Sequence, residues 1–205
     1  DQMMGDIASM GGELFVMDDG WFGDKYRRVT DNSSLGDWVV DRQKLPHGIG
    51  WLVETAEKHG IRFGIWIEPE MTNTKSELYE KHPDWVVKAQ NRDLVTGRGG
   101  TQLLLDLSNP AVQDFVFGVV DNIMTENPDI AYIKWDANMD ISAHGSQYLK
   151  NQNHLYIEYH RGLAKVLDRV RAKYPDLTIQ ACASGGGRAN YGIMPWFDEF
   201  WVSDD

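Results

Sequence analysis

The stretch AYIKWDAN (Ala131–Asn138) joins a short apolar strand to an acidic end, and this combination recurs along the chain. Its first five residues have the β-branched and aromatic composition of a buried strand, and Asp136 follows directly. Four other runs predict strands of the same kind: Leu14–Met17, Phe63–Ile67, Leu177–Cys182 and Phe200–Ser203. Leu103–Leu107 (LLLDL) is a further strand candidate, although a loop segment would also explain its composition.

Segments with helical spacing lie between these strands, which predicts an α/β fold with a parallel sheet. The predicted helices are Gln2–Met10, Gly50–His59, Ser76–His82, Pro110–Asn127 and Asn153–Tyr174. The order fits either an open doubly wound sheet or a (β/α) barrel. A complete barrel needs about 250 residues and eight strands. We therefore interpret residues 1–205 as one domain, a partial catalytic (β/α)8 TIM barrel that lacks both ends.

Composition excludes several classes of function. Hydrophobic residues make up 42% and charged residues 25% of the chain, and the formal charge is −11. Such an acidic surface argues against nucleic acid or an anionic membrane as a partner. The single cysteine, Cys182, excludes an internal disulfide, and no apolar run approaches the roughly 20 residues of a membrane span. No secretory signal is visible, so we expect a cytoplasmic protein.

Acidic residues and tryptophans follow the predicted strands. Because parallel strands of a barrel end at one rim, these side chains are expected around a common pocket. The segments after the strands are Asp18–Trp21, Glu68–Glu70, Asp136–Asn138, Ala183–Gly187 and Asp204–Asp205, and the tryptophans are Trp21, Trp66, Trp135 and Trp201. Carboxylates accept hydrogen bonds from sugar hydroxyls, and indoles pack on sugar rings. Two carboxylates that flank a glycosidic bond can also hydrolyse it.

Structural explanations compete with this interpretation. A single Asp at a strand end commonly caps a helix, each tryptophan could belong to the core, and the SGGGR stretch (184–188) could be a plain turn. The histidines lack metal-ligand spacing, and Ser184 has no evident histidine partner, so neither a metal, a cofactor nor a serine nucleophile is expected. Cys182 would then be a small buried residue.

Seven motifs together resemble glycoside hydrolase family 36, the α-galactosidase and raffinose-synthase group. In chain order they are ELFVMDDGWFG, GDWVVDRQKLPHGI, GIRFGIWIEPEM, LLLDLSNPAVQ, IKWDANM, ACASGGGR and FWVSDD. The resemblance covers essentially the whole chain. It implies a retaining α-galactosidase that hydrolyses terminal α-galactosyl residues of oligosaccharides of the melibiose and raffinose type.

The resemblance also assigns roles to individual residues. It implies that Asp136 is the nucleophile and Asp204 the acid/base, and their oxygens would then lie roughly 5–5.5 Å apart. It implies substrate binding by the following residues: Asp18, Asp19, Trp66, Arg98, Lys134, Asn138, Cys182, Gly185 and Trp201. The transfer to Arg98 is weaker, because the link GRGGTQ between it and the LLLDLSNP motif is longer than the family's usual one.

The resemblance further implies that the present strands are the second to sixth of eight. A preceding β-sandwich and a following small β domain would belong to a longer, homotetrameric parent. Two alternatives stay open: a galactosyl transferase of the raffinose-synthase type, and a non-catalytic sugar-binding or structural fragment, because an unclosed barrel exposes sheet edges.

Two local arrangements follow from strand geometry. Lys134 precedes Asp136 by two residues, so both side chains should point to the same face of the sheet, where the ammonium would favour the charged carboxylate. A salt bridge between Lys134 and another acidic residue is the structural alternative. Asp18 and Asp19 are adjacent, so both can reach a ligand only if the chain turns at the rim, which Gly20 permits.

Overall fold

The computed structural model of the protein describes residues 1–142 and 144–204. The strands, in chain order, are β1 Leu14–Met17, β2 Arg62–Ile67, β3 Met71–Asn73, β4 Gln102–Leu104, β5 Ile130–Trp135, β6 Thr178–Ala181 and β7 Glu199–Phe200. The α-helices are α1 Gln2–Ser9, α2 Gly48–Lys58, α3 Glu77–Lys81, α4 Pro110–Glu126 and α5 Leu155–Lys173.

The central sheet has five parallel strands in the order β1–β2–β5–β6–β7. This arrangement confirms the predicted α/β fold. Within the described residues β1 and β7 form the two edges of this sheet, so the barrel is not closed. The numbering of these strands within an eight-stranded barrel stays a prediction.

The sheet presents an apolar row beside a polar row. Ile65, Ile133 and Ile179 are register partners on three neighbouring strands, and all three are fully buried. They belong to one core cluster with the apolar sides of α4 and α5. The next register row carries Trp66, Lys134 and Gln180. Because successive residues point to opposite faces of a strand, this second row lies on the other side of the sheet.

Helix termini follow local sequence signals. Asn109 accepts a hydrogen bond from the backbone N–H of Ala111 at 3.0 Å and Pro110 begins α4, as predicted. Ser76 caps α3 through the N–H of Tyr79. The predicted helix bounds agree with the structure to within two residues, and residues 152–154 form a separate 3₁₀ turn before α5.

Two strand predictions are corrected. Leu103–Leu107 is not a strand of the parallel sheet: β4 pairs antiparallel with β3, outside it, and buries its leucines there. An apolar run cannot by itself distinguish these two placements. The last strand is also shorter than predicted, because β7 ends at Phe200 and the chain then turns towards the loop after β6, where Gly186 donates to the carbonyl of Val202.

No α-helix formed by the residues described has the length and apolarity required to cross a membrane.

Two helical glycines provide a test of the packing. A Cβ at Gly162 on α5 would overlap the carbonyl oxygen of Leu107, whereas a Cβ at Gly118 on α4 would meet nothing within 4 Å. We expect Gly162→Ala to lower the free energy of unfolding by about 1–3 kcal/mol through overpacking. Gly118→Ala, the matched control, should raise it by up to about 1 kcal/mol through helix propensity. Urea unfolding measures both, and equal effects would contradict the packing described.

Candidate active site

Backbone hydrogen bonds extend the parallel ladder past the ends of the strands. Asp136 donates its N–H to the carbonyl of Ile67 at 2.8 Å, Cys182 to Trp135 at 2.9 Å, and Trp201 to Ala181 at 2.9 Å. The first residue beyond β5, β6 and β7 is thereby fixed to the strand before it. These three predicted site residues therefore lie along one edge of the sheet.

Asp136 is held by two donors, one to each carboxylate oxygen. The indole N–H of Trp66 donates to Oδ2 at 3.0 Å, and the backbone N–H of Ala137 donates to Oδ1 at 2.9 Å. Asp136 is only 6% exposed. The two bonds fix the plane of a carboxylate that has little freedom to rotate.

Lys134 connects Asp18, in the turn after β1, with Trp201, just after β7. Its ammonium donates to Asp18 Oδ2 at 2.9 Å and lies 4.6 Å from the centre of the Trp201 ring. Burial opposes the charge on Lys134, but the hydrogen bond and charge of Asp18 outweigh it, and its pKa is raised. Lys134 thus forms a salt bridge with Asp18, which was the structural alternative for this residue. The negative charge of Asp136 also raises the pKa of Lys134.

Asp204 is attached to this edge through Trp201, whose indole N–H donates to Asp204 Oδ1 at 2.8 Å. Gly185, at φ +86°, approaches the same segment: a Cβ there would lie 3.0 Å from the Cα of Ser203. Only glycine combines this φ with such a close approach. The neighbouring Asp205, predicted to stand beside Asp204, lies outside the described residues.

The turn after β1 forms as predicted, with Gly20 at φ +105°. The backbone N–H of Asp19 donates to Asp18 Oδ1 at 2.8 Å. The carboxylate of Asp19 is bound by the guanidinium of the buried Arg28, through Nη2 at 2.7 Å and Nε at 3.0 Å. Arg28 was not predicted; its basic character alone gave no signal.

Two further predicted residues lie on the connecting loops. Asn138 Oδ1 accepts hydrogen bonds from the backbone N–H of Ser184 at 2.9 Å and from its hydroxyl at 3.0 Å, which links the segments after β5 and β6. Arg98 begins a short 3₁₀ turn, residues 98–100, and is exposed. Its charge opposes the overall rise in the pKa of Glu68, but no hydrogen bond or ion pair within the described residues joins Arg98 to the edge, so its role in substrate binding stays a prediction.

Two buried glutamates, Glu68 and Glu70, follow β2; both belong to the acidic segments expected around the pocket, but the sequence assigned neither of them a role. Glu68 Oε1 accepts from Gln102 Nε2 at 3.0 Å and from the backbone N–H of Asn138 at 2.5 Å. Burial, then the nearby negative charge of Asp136, raises the pKa of Glu68 to about 8. The position of Glu68 and Glu70 directly after a predicted strand is the sequence feature that places them at this edge.

The pKa of Glu70 is shifted in the opposite direction to that of Glu68, because Glu70 has a cation beside it. It accepts from Arg188 at 2.7 Å, Tyr159 at 2.6 Å and Trp135 at 2.8 Å. Burial opposes its charge, but Arg188 and these hydrogen bonds hold the pKa of Glu70 below its ordinary value. This ion pair ties the loop after β6 to the end of β2.

The tryptophans and Cys182 divide between the core and the edge. Trp135 is fully buried with its indole N–H on Glu70, and Trp21 is buried with its indole N–H on the carbonyl of Trp66, so both pack in the core, and their contact with a ligand stays a prediction. Trp66 and Trp201 do reach the edge. Burial raises the pKa of the Cys182 thiol to about 12, and the charge of Asp136 acts in the same direction.

A cavity of about 690 Å³ lies beside this edge, between the loops after β5 and β6 and the helix α5. Asn138, Ser184, Arg188 and Trp196 are among its lining residues. Asp136 and Asp204 do not line it. The candidate active site is therefore identified by the edge that carries Asp136 and, through Trp201, Asp204, and the separation of roughly 5–5.5 Å between their oxygens stays a prediction.

Carboxylates and indoles at the carboxyl edge of a parallel sheet are the arrangement typical of glycoside hydrolases built on (β/α) barrels. The melibiase family model matches residues 1–205, and the chain belongs to this family. The chain is 42% identical to a probable α-galactosidase C of Aspergillus terreus over 212 residues. That alignment covers 100% of this chain and 27% of the relative.

Solved structures of AgaA from Geobacillus stearothermophilus, a GH36 α-galactosidase, have the same fold over this chain. A variant of AgaA in complex with 1-deoxygalactonojirimycin has a TM-score of 0.93 and 38% identity, and covers 99% of this chain and 28% of that chain. A second AgaA variant, in complex with raffinose, gives the same values. The present chain thus spans about a quarter of the length of these relatives.

The ion pair between Glu70 and Arg188 leads to a stability prediction. Arg188→Met should lower the free energy of unfolding by about 3–5 kcal/mol at neutral pH, because it leaves Glu70 charged and buried without a cation. Arg161→Met, which removes an exposed pair with Glu158, should cost less than about 1 kcal/mol.

The pH dependence gives this prediction a second readout. Without Arg188 the pKa of Glu70 rises, so Glu70 takes up a proton as the pH falls and the penalty shrinks. The wild type keeps the stabilisation of its charged Glu70 down to about pH 4.5 and loses it only below that, because its folded pKa is lowered. Denaturant unfolding at pH 7 and at pH 4–5 should show the difference narrowing with acidity; a difference that widens would contradict the assignment.

Proposed function

We propose that this chain supplies the catalytic residues of a retaining α-galactosidase that hydrolyses terminal α-galactosyl residues of oligosaccharides. The observation that carries the proposal is the pair of carboxylates on one sheet edge, Asp136 fixed by Trp66 and Asp204 attached through Trp201. Relatives at about 40% identity over the whole chain bear the name α-galactosidase, and an AgaA variant binds raffinose. We infer substrates of the melibiose and raffinose type from that similarity.

In the proposed mechanism Asp136 is the nucleophile. Its ionised carboxylate attacks the anomeric carbon while the bond to the leaving oxygen breaks, and Asp204 donates a proton to that oxygen. A galactosyl ester of Asp136 results. Asp204 then accepts a proton from water, whose oxygen attacks the anomeric carbon and releases Asp136. The donors on Asp136 support this role because they orient one oxygen for attack.

Substrate binding is proposed for the side chains around this pair. Lys134 and Asp18 offer a donor and an acceptor to sugar hydroxyls once their mutual ion pair yields to the ligand, and the Trp201 ring offers an apolar face. Asp19, Trp66, Arg98 and Asn138 complete the polar set. Cys182 and Gly185 form a wall of small residues that leaves room for a substituent on the sugar.

Substitution of the nucleophile is the first test. We expect the longer parent that contains this chain, and not residues 1–205 alone, to hydrolyse p-nitrophenyl α-galactoside. In that parent Asp136→Ala should reduce the hydrolysis by a factor of about 10³ or more, because no covalent intermediate can form. Asp140→Ala removes an exposed carboxylate four residues along the same loop and serves as the matched control, with activity near that of the wild type. Comparable activity in the wild type and Asp136→Ala would reject the assignment.

The stereochemistry of the product tests the double displacement. Proton NMR should detect α-galactose as the first-formed anomer, because two inversions retain the configuration. A β-anomer formed first would contradict a retaining mechanism. Adding sucrose to the same reaction distinguishes hydrolysis, which yields galactose, from a transferase, which yields the trisaccharide instead.

A further inference from the structure

Three buried acidic residues near the edge of the sheet have no part in the mechanism proposed above: Glu68, Glu70 and Asp106. Glu70 is neutralised by Arg188, and Asp106 accepts from the N–H and hydroxyl of Ser108. Among the residues described, Glu68 has no cation within 4 Å, although it is only 2% exposed. Its burial therefore calls for an explanation other than an ion pair.

The contacts of Glu68 point to the segment that carries Asp136. One oxygen, Oε1, accepts both the backbone N–H of Asn138 and the side-chain amide of Gln102. Asn138 stands two residues after Asp136, and its own side chain accepts from Ser184. A single side chain at the end of β2 thus fixes the turn after β5 and, through it, the loop after β6.

The surroundings of Glu68 favour its neutral form. Asp136 faces it from the end of β5, while the charges of Arg98 and Arg28 act on it from the connecting segments. Burial and the charge of Asp136 outweigh the two arginines and raise the pKa of Glu68 to about 8, which favours its protonated form at neutral pH. A neutral acceptor can hold the Asn138 amide without adding a second negative charge next to the nucleophile.

We infer that Glu68 is a positioning residue for Asp136, acting through its hydrogen bond to the backbone N–H of Asn138. The inference rests on the proposed function, since positioning matters only if Asp136 is the nucleophile. Misplacement of a reacting group by about 1 Å can cost a factor of about 10² in rate. Loss of the bond should therefore lower kcat more than it changes KM.

Two matched variants distinguish the effect of side-chain length at position 68 from the effect of the carboxyl group. Glu68→Gln keeps the length of the side chain and an acceptor oxygen, whereas Glu68→Asp keeps the carboxyl but shortens the side chain by one methylene. For p-nitrophenyl α-galactoside, Glu68→Gln should keep kcat within about threefold of the wild type, and Glu68→Asp should lower it by about tenfold or more with KM nearly unchanged. Equal kcat values for Glu68→Asp and the wild type, or equal impairment in both variants, would overturn the inference.

A readout that does not depend on activity accompanies the kinetics. Hydrogen exchange at the Asn138 amide, followed by NMR, should be slow in the wild type and Glu68→Gln and faster in Glu68→Asp. Unchanged exchange in Glu68→Asp would overturn the inference even if the wild type proved inactive. If the longer parent that contains this chain does not hydrolyse the substrate while exchange is as expected, the proposed function is rejected and the positioning contact stands.

The stability of Glu68→Gln provides a control on the charge state. An acid whose pKa is raised on folding loses stability as the pH rises from its unfolded value to its folded value. The wild type should therefore become less stable relative to Glu68→Gln between about pH 4.5 and pH 8. A stability difference that does not change with pH would show that Glu68 is charged and would contradict its role as a neutral acceptor.

Discussion

The backbone ladder that continues past β5, β6 and β7 is the constraint on which the site depends. Asp136, Cys182 and Trp201 are each bound through their N–H to the last residue of the preceding strand in the sheet. Their positions are therefore set by the register of the parallel strands, and that register is set by the buried row of Ile65, Ile133 and Ile179. A slip of one residue would send each of these side chains to the other face.

Charge at this edge is organised by pairing and burial. Asp19 is bound by Arg28, Asp18 by Lys134 and Glu70 by Arg188, so that three carboxylates have a cation at hydrogen-bond distance. Asp136 is bound by neutral N–H groups instead, which orient its carboxyl group. Glu68 beside it is kept neutral by burial. The chain thus concentrates acidic residues without placing uncompensated charges next to each other.

The sequence predicted what depends on local pattern. Strand β1 has the predicted bounds, the Asn109 cap begins α4, and the alternation of strands and helices predicted a parallel sheet with acidic residues at one edge. Motif resemblance added the family. Roles that depend on long-range contacts were missed: Arg28, which was not predicted, reaches Asp19, and Glu68, predicted only as one acidic residue at the edge, reaches Asn138 some 70 residues away. Leu103–Leu107 was misplaced because burial in an antiparallel pair produces the same apolar run as burial in the central sheet.

The account is tested most directly by labelling the nucleophile. A fluorinated α-galactosyl donor that forms a long-lived ester, followed by proteolysis and mass spectrometry, should attach one galactosyl group to the peptide that contains Asp136. Attachment to Glu68, to Asp204 or to any other residue would contradict the central claim that the carboxylate held by Trp66 attacks the sugar.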